Sequence, residues 1–301
     1  MPSKQSNLKK KNDLIAYSFI LPNFLGFAFF TLVPMVFSLV LAFANWKGTG
    51  SIEFVFLENF KRLFNDRAFL RSLRNTAIYT LLVVPLTLII SLALAMILNM
   101  NIKGRNFFRT VSFFPYVASL VAVATVWRFV FSPAVGPVNM LLSKLTGKAT
   151  NTLPYWTTHP GPAMVLVVMF SIWKNMGYYM VIFLAGLQSV NEELYEVASL
   201  DGANTWQRFT NVTLPQLAPT TFFVTIMLTI SSFKVYDIFL NLFAGGDNQL
   251  SDATRVLVYQ IYNTAFRSLD YGYASAMSMI LFVIVLVITL LQFYGERKIS
   301  E

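Results

Sequence analysis

The sequence predicts an all-α, polytopic membrane protein with six transmembrane helices. The chain has 301 residues, of which 56% are hydrophobic and only 12% are charged, about half the charged fraction of a typical soluble protein. About 20 consecutive apolar residues are enough to cross the lipid core as a helix. Six windows contain no charged residue: Leu14–Trp46, Asn75–Ile102, Thr110–Trp127, Ala149–Trp173, Phe209–Phe233 and Tyr271–Gly295. An ordinary soluble enzyme is therefore excluded.

The composition provides no cluster of catalytic or metal-binding residues. The chain has no cysteine and one histidine, His159, in a loop rich in proline and threonine, which excludes thiolate sites and histidine clusters. It has neither the Gly-x-Ser-x-Gly motif of serine hydrolases nor the G-x-x-x-x-G-K-[ST] motif of ATPases. The chain has a net charge of +9, and its basic residues are expected to contact anionic lipid rather than nucleic acid. We predict no catalytic residue, no metal site and no cofactor for this chain.

Each window gives one helix. The first is predicted at about residues 14–44, after a polar tail, and it contains Pro22 and Pro34, which membrane helices tolerate. The others are predicted at about residues 75–98, 107–131, 163–187, 217–243 and 274–294. The predicted domains are a cytoplasmic tail (1–13), the first helix with an external segment (14–71), one transmembrane domain (72–295) and a second cytoplasmic tail (296–301).

The basic residues do not decide the orientation by number. With the N-terminus inside, ten lysines and arginines fall in the inner segments and ten in the outer ones. The inner segments are shorter and denser in charge, and the first helix usually dominates the positive-inside rule. We therefore expect both termini in the cytoplasm.

The polar segment between the fourth and fifth helices, residues 188–215, predicts two short helices joined by a tight turn. Ser189 and Glu192 have the spacing of a capping box. Asp201-Gly202 is expected to end the first helix, because glycine readily adopts the left-handed conformation. Asn204 or Thr205 can cap the second helix.

The charge of this segment favours a protein partner over lipid. Helices that lie on lipid favour lysine and arginine on their polar face, whereas this segment has one arginine and four acidic residues: Glu192, Glu193, Glu196 and Asp201. An amphipathic hairpin resting on lipid remains the alternative. We expect a docking element for a soluble protein.

The same segment resembles the EAA loop of binding-protein-dependent ABC importer permeases. The matching residues are Glu196-Val197-Ala198, Asp201-Gly202-Ala203, Phe209 and Leu214-Pro215, with Val197 in place of the family's alanine. Further matches cover Asn59-Phe60, Leu73–Thr76, Phe239–Gly246 and Tyr271–Ala274, although Ala244 and Asp247 replace a threonine and a proline. The chain resembles the type I fold, and within it the carbohydrate branch that includes the maltose-transporter permeases.

This resemblance implies a mechanism and a set of partners. Coupling helices would dock into a cleft of a cytoplasmic ATPase, whose ATP-driven closure turns the membrane helices from inward-facing to outward-facing. The coupling residues implied are Glu196, Ala198, Asp201, Gly202, Ala203, Phe209 and Pro215. The partners implied are a second permease subunit forming a heterodimer, an ATP-binding subunit dimer that holds ATP and magnesium, and an extracellular or periplasmic solute-binding protein. The location implied is a bacterial or archaeal cell membrane.

A solute path is predicted where ionisable and polar residues lie within the predicted membrane helices. Ionisable residues at membrane depth are functional candidates, and Lys234 and Asp237, three positions apart, are expected to share a helix face and neutralise each other. Aromatic rings suit the apolar face of a sugar, and amides suit its hydroxyls. The predicted path comprises Trp173, Lys174, Asn175, Tyr178, Lys234, Tyr236, Asp237 and Asn241, with ordinary helix packing as the alternative for each.

Three other functions remain open. Within the same family, import of glycerol phosphate is the alternative to sugar import, because Arg128 and Lys174 could bind an anion. An ion-driven secondary transporter could use Lys234 and Asp237 for proton coupling, but it would not need the acidic loop. An integral-membrane enzyme is disfavoured by the single histidine.

Overall fold

The computed structural model describes residues 3–133, 135–157, 159–243 and 254–300. Its α-helices are α1 Ser3–Phe27, α2 Val33–Leu41, α3 Glu58–Asn65, α4 Arg67–Asn99, α5 Arg105–Val117, α6 Leu120–Val130, α7 Pro137–Thr146, α8 Pro160–Gln188, α9 Glu192–Leu200, α10 Thr205–Arg208, α11 Leu214–Gln216, α12 Ala218–Phe233, α13 Asp237–Phe243, α14 Leu257–Tyr262 and α15 Tyr271–Ser300. Short π-helical stretches are Ala28–Leu32, Phe209–Thr213 and Asn263–Arg267, and Thr150–Thr152 is a 3-10 turn. The strands are β1 Ala44–Asn45 and β2 Glu53–Phe54.

The helices agree with the six predicted crossings. Within the described ranges, four helical segments are long and apolar enough to span a membrane: Ile15–Leu41, Arg67–Asn99, Gly161–Gln188 and Tyr271–Glu296. Two bent pairs of helices bring the number to six if each pair is one span. The second helix begins earlier than predicted, because the Asp66 carboxylate accepts hydrogen bonds from the backbone N–H groups of Ala68 and Phe69.

Two of the predicted helices are broken, so their prediction as continuous helices is wrong. The third stops at Val117 and restarts at Leu120, with a bend of 97° between α5 and α6. The fifth stops at Phe233, and α13 starts at Asp237. Both breaks lie inside or beside charge-free windows. Mean hydropathy is equally high for helical and extended residues in such a window, so it does not show where a helix is interrupted.

One compact unit combines residues 1–65 with residues 261–280. In it, β1 and β2 pair antiparallel after α2, and the side-chain amide of Asn59 donates to the carbonyls of Ala42 and Ala44 at 3.1 and 2.9 Å. Gly272 lies so close to the Ala44 carbonyl that any Cβ would overlap it. The start of α15 is therefore fastened to the end of the first membrane helix within this unit.

An ion pair strengthens the same unit. The Arg62 guanidinium lies 3.0 Å from the Asp270 carboxylate and 3.8 Å from the centre of the Tyr273 ring. A polar cavity of about 430 Å³ adjoins this pair.

The second unit combines residues 66–260 with residues 281–301. Its centre is α8, which packs against α4 and α5, while α12 packs against α4 and α13 against α6. Gly177 of α8 lies against the backbone of α5, where a Cβ would overlap the Ser112 carbonyl. These packed helices surround a cavity.

Candidate functional site

A cavity of about 400 Å³ lies among the helices of the second unit. Residues of α4, α5, α6, α8, α12 and α13 line it, together with the 234–236 linker. Both helix breaks therefore border the same space. Discontinuous helices are a usual source of binding groups in membrane transporters, because unwound backbone is tolerated where it is buried in protein or lines a cavity.

Six of the eight residues predicted for the solute path line this cavity: Lys174, Asn175, Tyr178, Lys234, Tyr236 and Asp237. The other two do not. Trp173 packs against Trp127 with ring centres 5.4 Å apart, and the amide of Asn241 donates to the Asp237 carbonyl at 2.8 Å. Arg128, half-buried in α6, is also absent from the lining. The role of the six in transport stays a prediction.

Aromatic rings form one wall of the cavity. Tyr116 and Tyr178 are stacked, with ring centres 4.5 Å apart and ring planes 14° apart, and Tyr179 meets Tyr178 edge-on at 5.1 Å. The sequence reasoning missed Tyr116, Tyr79, Ser231 and Ser232, which also line the cavity. Tyr116 and Tyr79 lie in charge-free windows, and only the fold brings them to the polar residues.

The charged residues do not interact as predicted. Lys234 follows the end of α12 and Asp237 begins α13, so they do not share a helix face, and in the described part of the chain they form no ion pair with each other. Their predicted mutual neutralisation by contact is wrong, because the break separates them. Lys174 is held instead by carbonyls of the other break, at Pro115, Tyr116 and Ala118.

The segment 188–215 forms two helical limbs, as predicted. The turn between them is a Schellman motif, in which the N–H of Ala203 donates to the Ala198 carbonyl at 2.9 Å and the N–H of Gly202 to the Ser199 carbonyl at 3.1 Å. Gly202 has φ +77°, so the left-handed turn is confirmed. A Cβ at Gly202 would meet no atom within 4 Å, which shows that conformation, not space within the chain, favours glycine here.

The predicted cap of the second limb is confirmed, and the predicted cap of the first limb is wrong. Asn204 and Gln207 form a reciprocal capping box at 2.8 and 2.9 Å, which confirms Asn204 as a cap. The predicted Ser189–Glu192 box is wrong, because the Ser189 hydroxyl donates to the Gly186 carbonyl and Asn191 caps α9 instead.

The two limbs of this hairpin are joined by side-chain hydrogen bonds, and many of its other side chains are exposed. The Tyr195 and Thr213 hydroxyls are hydrogen-bonded at 3.0 Å, and Arg208 donates to the Ser199 hydroxyl at 3.2 Å. The exposed residues combine apolar and acidic side chains: Leu194, Glu196, Val197, Leu200, Asp201 and Trp206, with Leu200 at 88% exposure. Ala198, Ala203 and Phe209 are half-buried, and Pro215 is exposed beside the 67° bend that leads into α12. An apolar surface bordered by acidic residues suits a protein partner with a complementary cleft.

Part of the sequence resemblance cannot be placed. The segment Phe239–Gly246 is described as far as Phe243, and Ala244, Gly245, Gly246 and Asp247 lie outside the described residues.

Comparison with known proteins agrees with these features. The family described as "Binding-protein-dependent transport system inner membrane component" matches residues 88–301. The lactose transport system permease protein of Rhizobium radiobacter is 34% identical over 98% of each chain, and the sn-glycerol-3-phosphate transport system permease protein of Yersinia pestis is 35% identical over 95% of each.

A solved structure has the same fold. It is a chain of a bacterial alginate ABC transporter in complex with a periplasmic protein that carries an alginate pentasaccharide. The two chains are 27% identical, the match covers 97% of this chain and 96% of that one, and the TM-score is 0.83. The chain described here therefore belongs to the family of binding-protein-dependent transport system inner membrane components, the multi-pass permease subunits of ABC importers.

Proposed function

We propose that this permease moves a sugar or oligosaccharide into the cell through the cavity bordered by the two helix breaks. The stacked pair Tyr116 and Tyr178 is the observation that carries the proposal, because aromatic faces bind the apolar side of a sugar ring. Asn175, Ser231 and Ser232 line the same space and offer hydrogen-bonding groups to sugar hydroxyls. The lactose permease and the alginate transporter are relatives with carbohydrate substrates by name.

A phosphorylated small solute is the second candidate. Lys234 lines the cavity with its side chain exposed, and the sn-glycerol-3-phosphate permease is as similar to this chain as the lactose permease. Asp237 in the same lining opposes this candidate, because a carboxylate repels a phosphate.

The hairpin 188–215 is proposed to dock into a cytoplasmic ATPase. Its exposed apolar residues supply contact area, and Glu196 and Asp201 favour a cleft with positive charge. ATP and magnesium would be bound by the ATPase dimer, and the complete importer would also need a second permease and an external solute-binding protein.

This docking fixes the proposed orientation. If α9 and α10 face the cytoplasm, an even number of crossings on either side leaves both termini in the cytoplasm too. Cysteines introduced at Asn191 and at Ser51, an exposed residue between the two strands, would test this, because the chain has no native cysteine. A membrane-impermeant maleimide should label the Ser51→Cys variant in intact cells and the Asn191→Cys variant only after lysis.

The solute path is tested by uptake into proteoliposomes that contain the complete transporter. Tyr178→Ala should lower the uptake of labelled lactose or sn-glycerol 3-phosphate, whichever the unaltered transporter carries, by about tenfold, because one face of the stacked pair is lost. Tyr155→Ala is the control, since Tyr155 contacts His159 in a loop and does not line the cavity. Equal uptake by the two variants would contradict the proposed path.

A further inference from the structure

The carbonyl end of α5 lies at the break between α5 and α6. Ala118 leaves the helix with ψ 145°, and Ser119, which precedes α6, makes no side-chain cap. The last carbonyls of a helix have no partner within that helix. At membrane depth they need donors from elsewhere in the protein, because lipid offers none.

Lys174 supplies those donors. Its ammonium lies 2.9 Å from the Pro115 carbonyl, 3.3 Å from that of Tyr116 and 3.0 Å from that of Ala118. A lysine ammonium has three N–H groups, so these three acceptors use all of them. The positive charge also lies at the negative end of the helix dipole, where it is stabilised.

A second contact holds the same two helices together. Gly177 lies three residues after Lys174 and therefore on the same face of α8, and at Gly177 the backbone of α5 is too close for any Cβ. The three hydrogen bonds of Lys174, which we call the clamp, and the close contact at Gly177 together fix the last two turns of α5 against α8. The last turn carries Tyr116, and α8 carries its stacking partner Tyr178.

We propose that Lys174 is a positioning residue whose ammonium holds the carbonyl end of α5 against α8 and so places Tyr116 beside Tyr178 in the cavity wall. The inference rests on the proposed function of this cavity as the solute path. It also implies a specificity. With Lys174 engaged by the backbone, the described lining retains one cation, Lys234, and one carboxylate, Asp237, so the cavity selects for hydroxyl groups rather than for an anion.

The position of the wall can be measured by cross-linking in the assembled transporter. This chain has no native cysteine, so once any cysteines of the partner subunits are replaced, a short bifunctional maleimide reports the proximity of the pair Tyr116→Cys and Tyr178→Cys. Lys174→Met should lower the cross-linking yield about fivefold, the factor that corresponds to one typical hydrogen bond, and Lys174→Arg should restore it. Lys144→Met, which removes an exposed lysine of α7, should leave the yield unchanged.

Lys174→Gln keeps a hydrogen-bond donor without the charge. It replaces Lys174→Met in the cross-linking test if the methionine variant does not assemble. We expect an intermediate yield. An unchanged yield in every Lys174 variant that assembles would overturn the proposed clamp.

Uptake kinetics with both tyrosines intact separate a clamp from an anion receptor. A clamp predicts that Lys174→Met lowers the maximal uptake rate about tenfold for either lactose or sn-glycerol 3-phosphate, with rescue by Lys174→Arg. A higher KM for sn-glycerol 3-phosphate alone, with normal cross-linking, would make Lys174 an anion receptor and overturn the inference. If the cross-linking behaves as expected but Tyr178→Ala transports normally, the clamp stands and the proposed solute path fails.

Discussion

Gly202 shows how a single residue can set the shape of the hairpin 188–215. Its φ of +77° lies in the left-handed region, and a Cβ there would have open space around it. A substitution therefore acts through backbone strain, of about 1–2 kcal/mol for a residue with a Cβ. The tripeptide Asp201-Gly202-Ala203 could be read from the sequence because the Schellman motif is local, involving only the preceding turn of α9.

Gly202→Val should therefore distort the hairpin and reduce the association of the ATPase with the permease. Gly147→Val is a matched control, because Gly147 also follows a helix, has φ +67° and leaves open space for a Cβ, with no atom within 4 Å. Both variants should lose similar stability in detergent, measured as Tm, but only Gly202→Val should lose co-purified ATPase and ATP-driven uptake. Normal association and uptake of Gly202→Val would contradict the docking assignment.

At the scale of elements, the sequence predicted where the membrane helices are but not where they break. The charge-free windows mark the helices because burying charge in lipid is costly. The Ala118 carbonyl at the first break accepts a hydrogen bond from Lys174, which lies 56 residues later in the chain. No local pattern contains such a contact, so the third and fifth helices were predicted as continuous.

The same limit explains which site residues were found. Lys174, Lys234 and Asp237 could be recognised because charged residues are rare inside the predicted membrane helices. Tyr116 and Tyr79 could not, because tyrosine is common in membrane helices and nothing in their own segments differs from packing residues.

The packing of α5 on α8 gives an element-scale prediction. Gly177→Ala should destabilise the protein by about 1–3 kcal/mol, because the new methyl group overlaps the Ser112 backbone and cannot be accommodated by a rotamer change. Gly161→Ala is the control in the first turn of the same helix, where a Cβ meets nothing within 4 Å. Thermal unfolding in detergent measures the difference, and equal Tm values would show that α5 can move away from α8 without cost.

For the whole molecule, the energy source distinguishes an ABC permease from an ion-driven transporter. In the described part of the chain Lys234 and Asp237 form no ion pair with each other, so the charge pair considered for proton coupling is not in contact, while the hairpin 188–215 is exposed. We expect uptake in vesicles to stop when ATP is depleted and to survive an uncoupler that collapses the proton gradient. The opposite result would favour the ion-driven mechanism.

One further property follows from the continuity of α8. The helix runs unbroken from Pro160 to Gln188, and three residues separate it from α9, while α5–α6 and α12–α13 are interrupted at the cavity. At about 1.5 Å per residue, the arm from Lys174 to Gln188 is about 21 Å long, so a 10° tilt at the hairpin would displace the cavity wall by roughly 4 Å. Because α8 has no break of its own, we expect a tilt at its C-terminal end to reach Lys174 and Tyr178 as a movement of the whole helix.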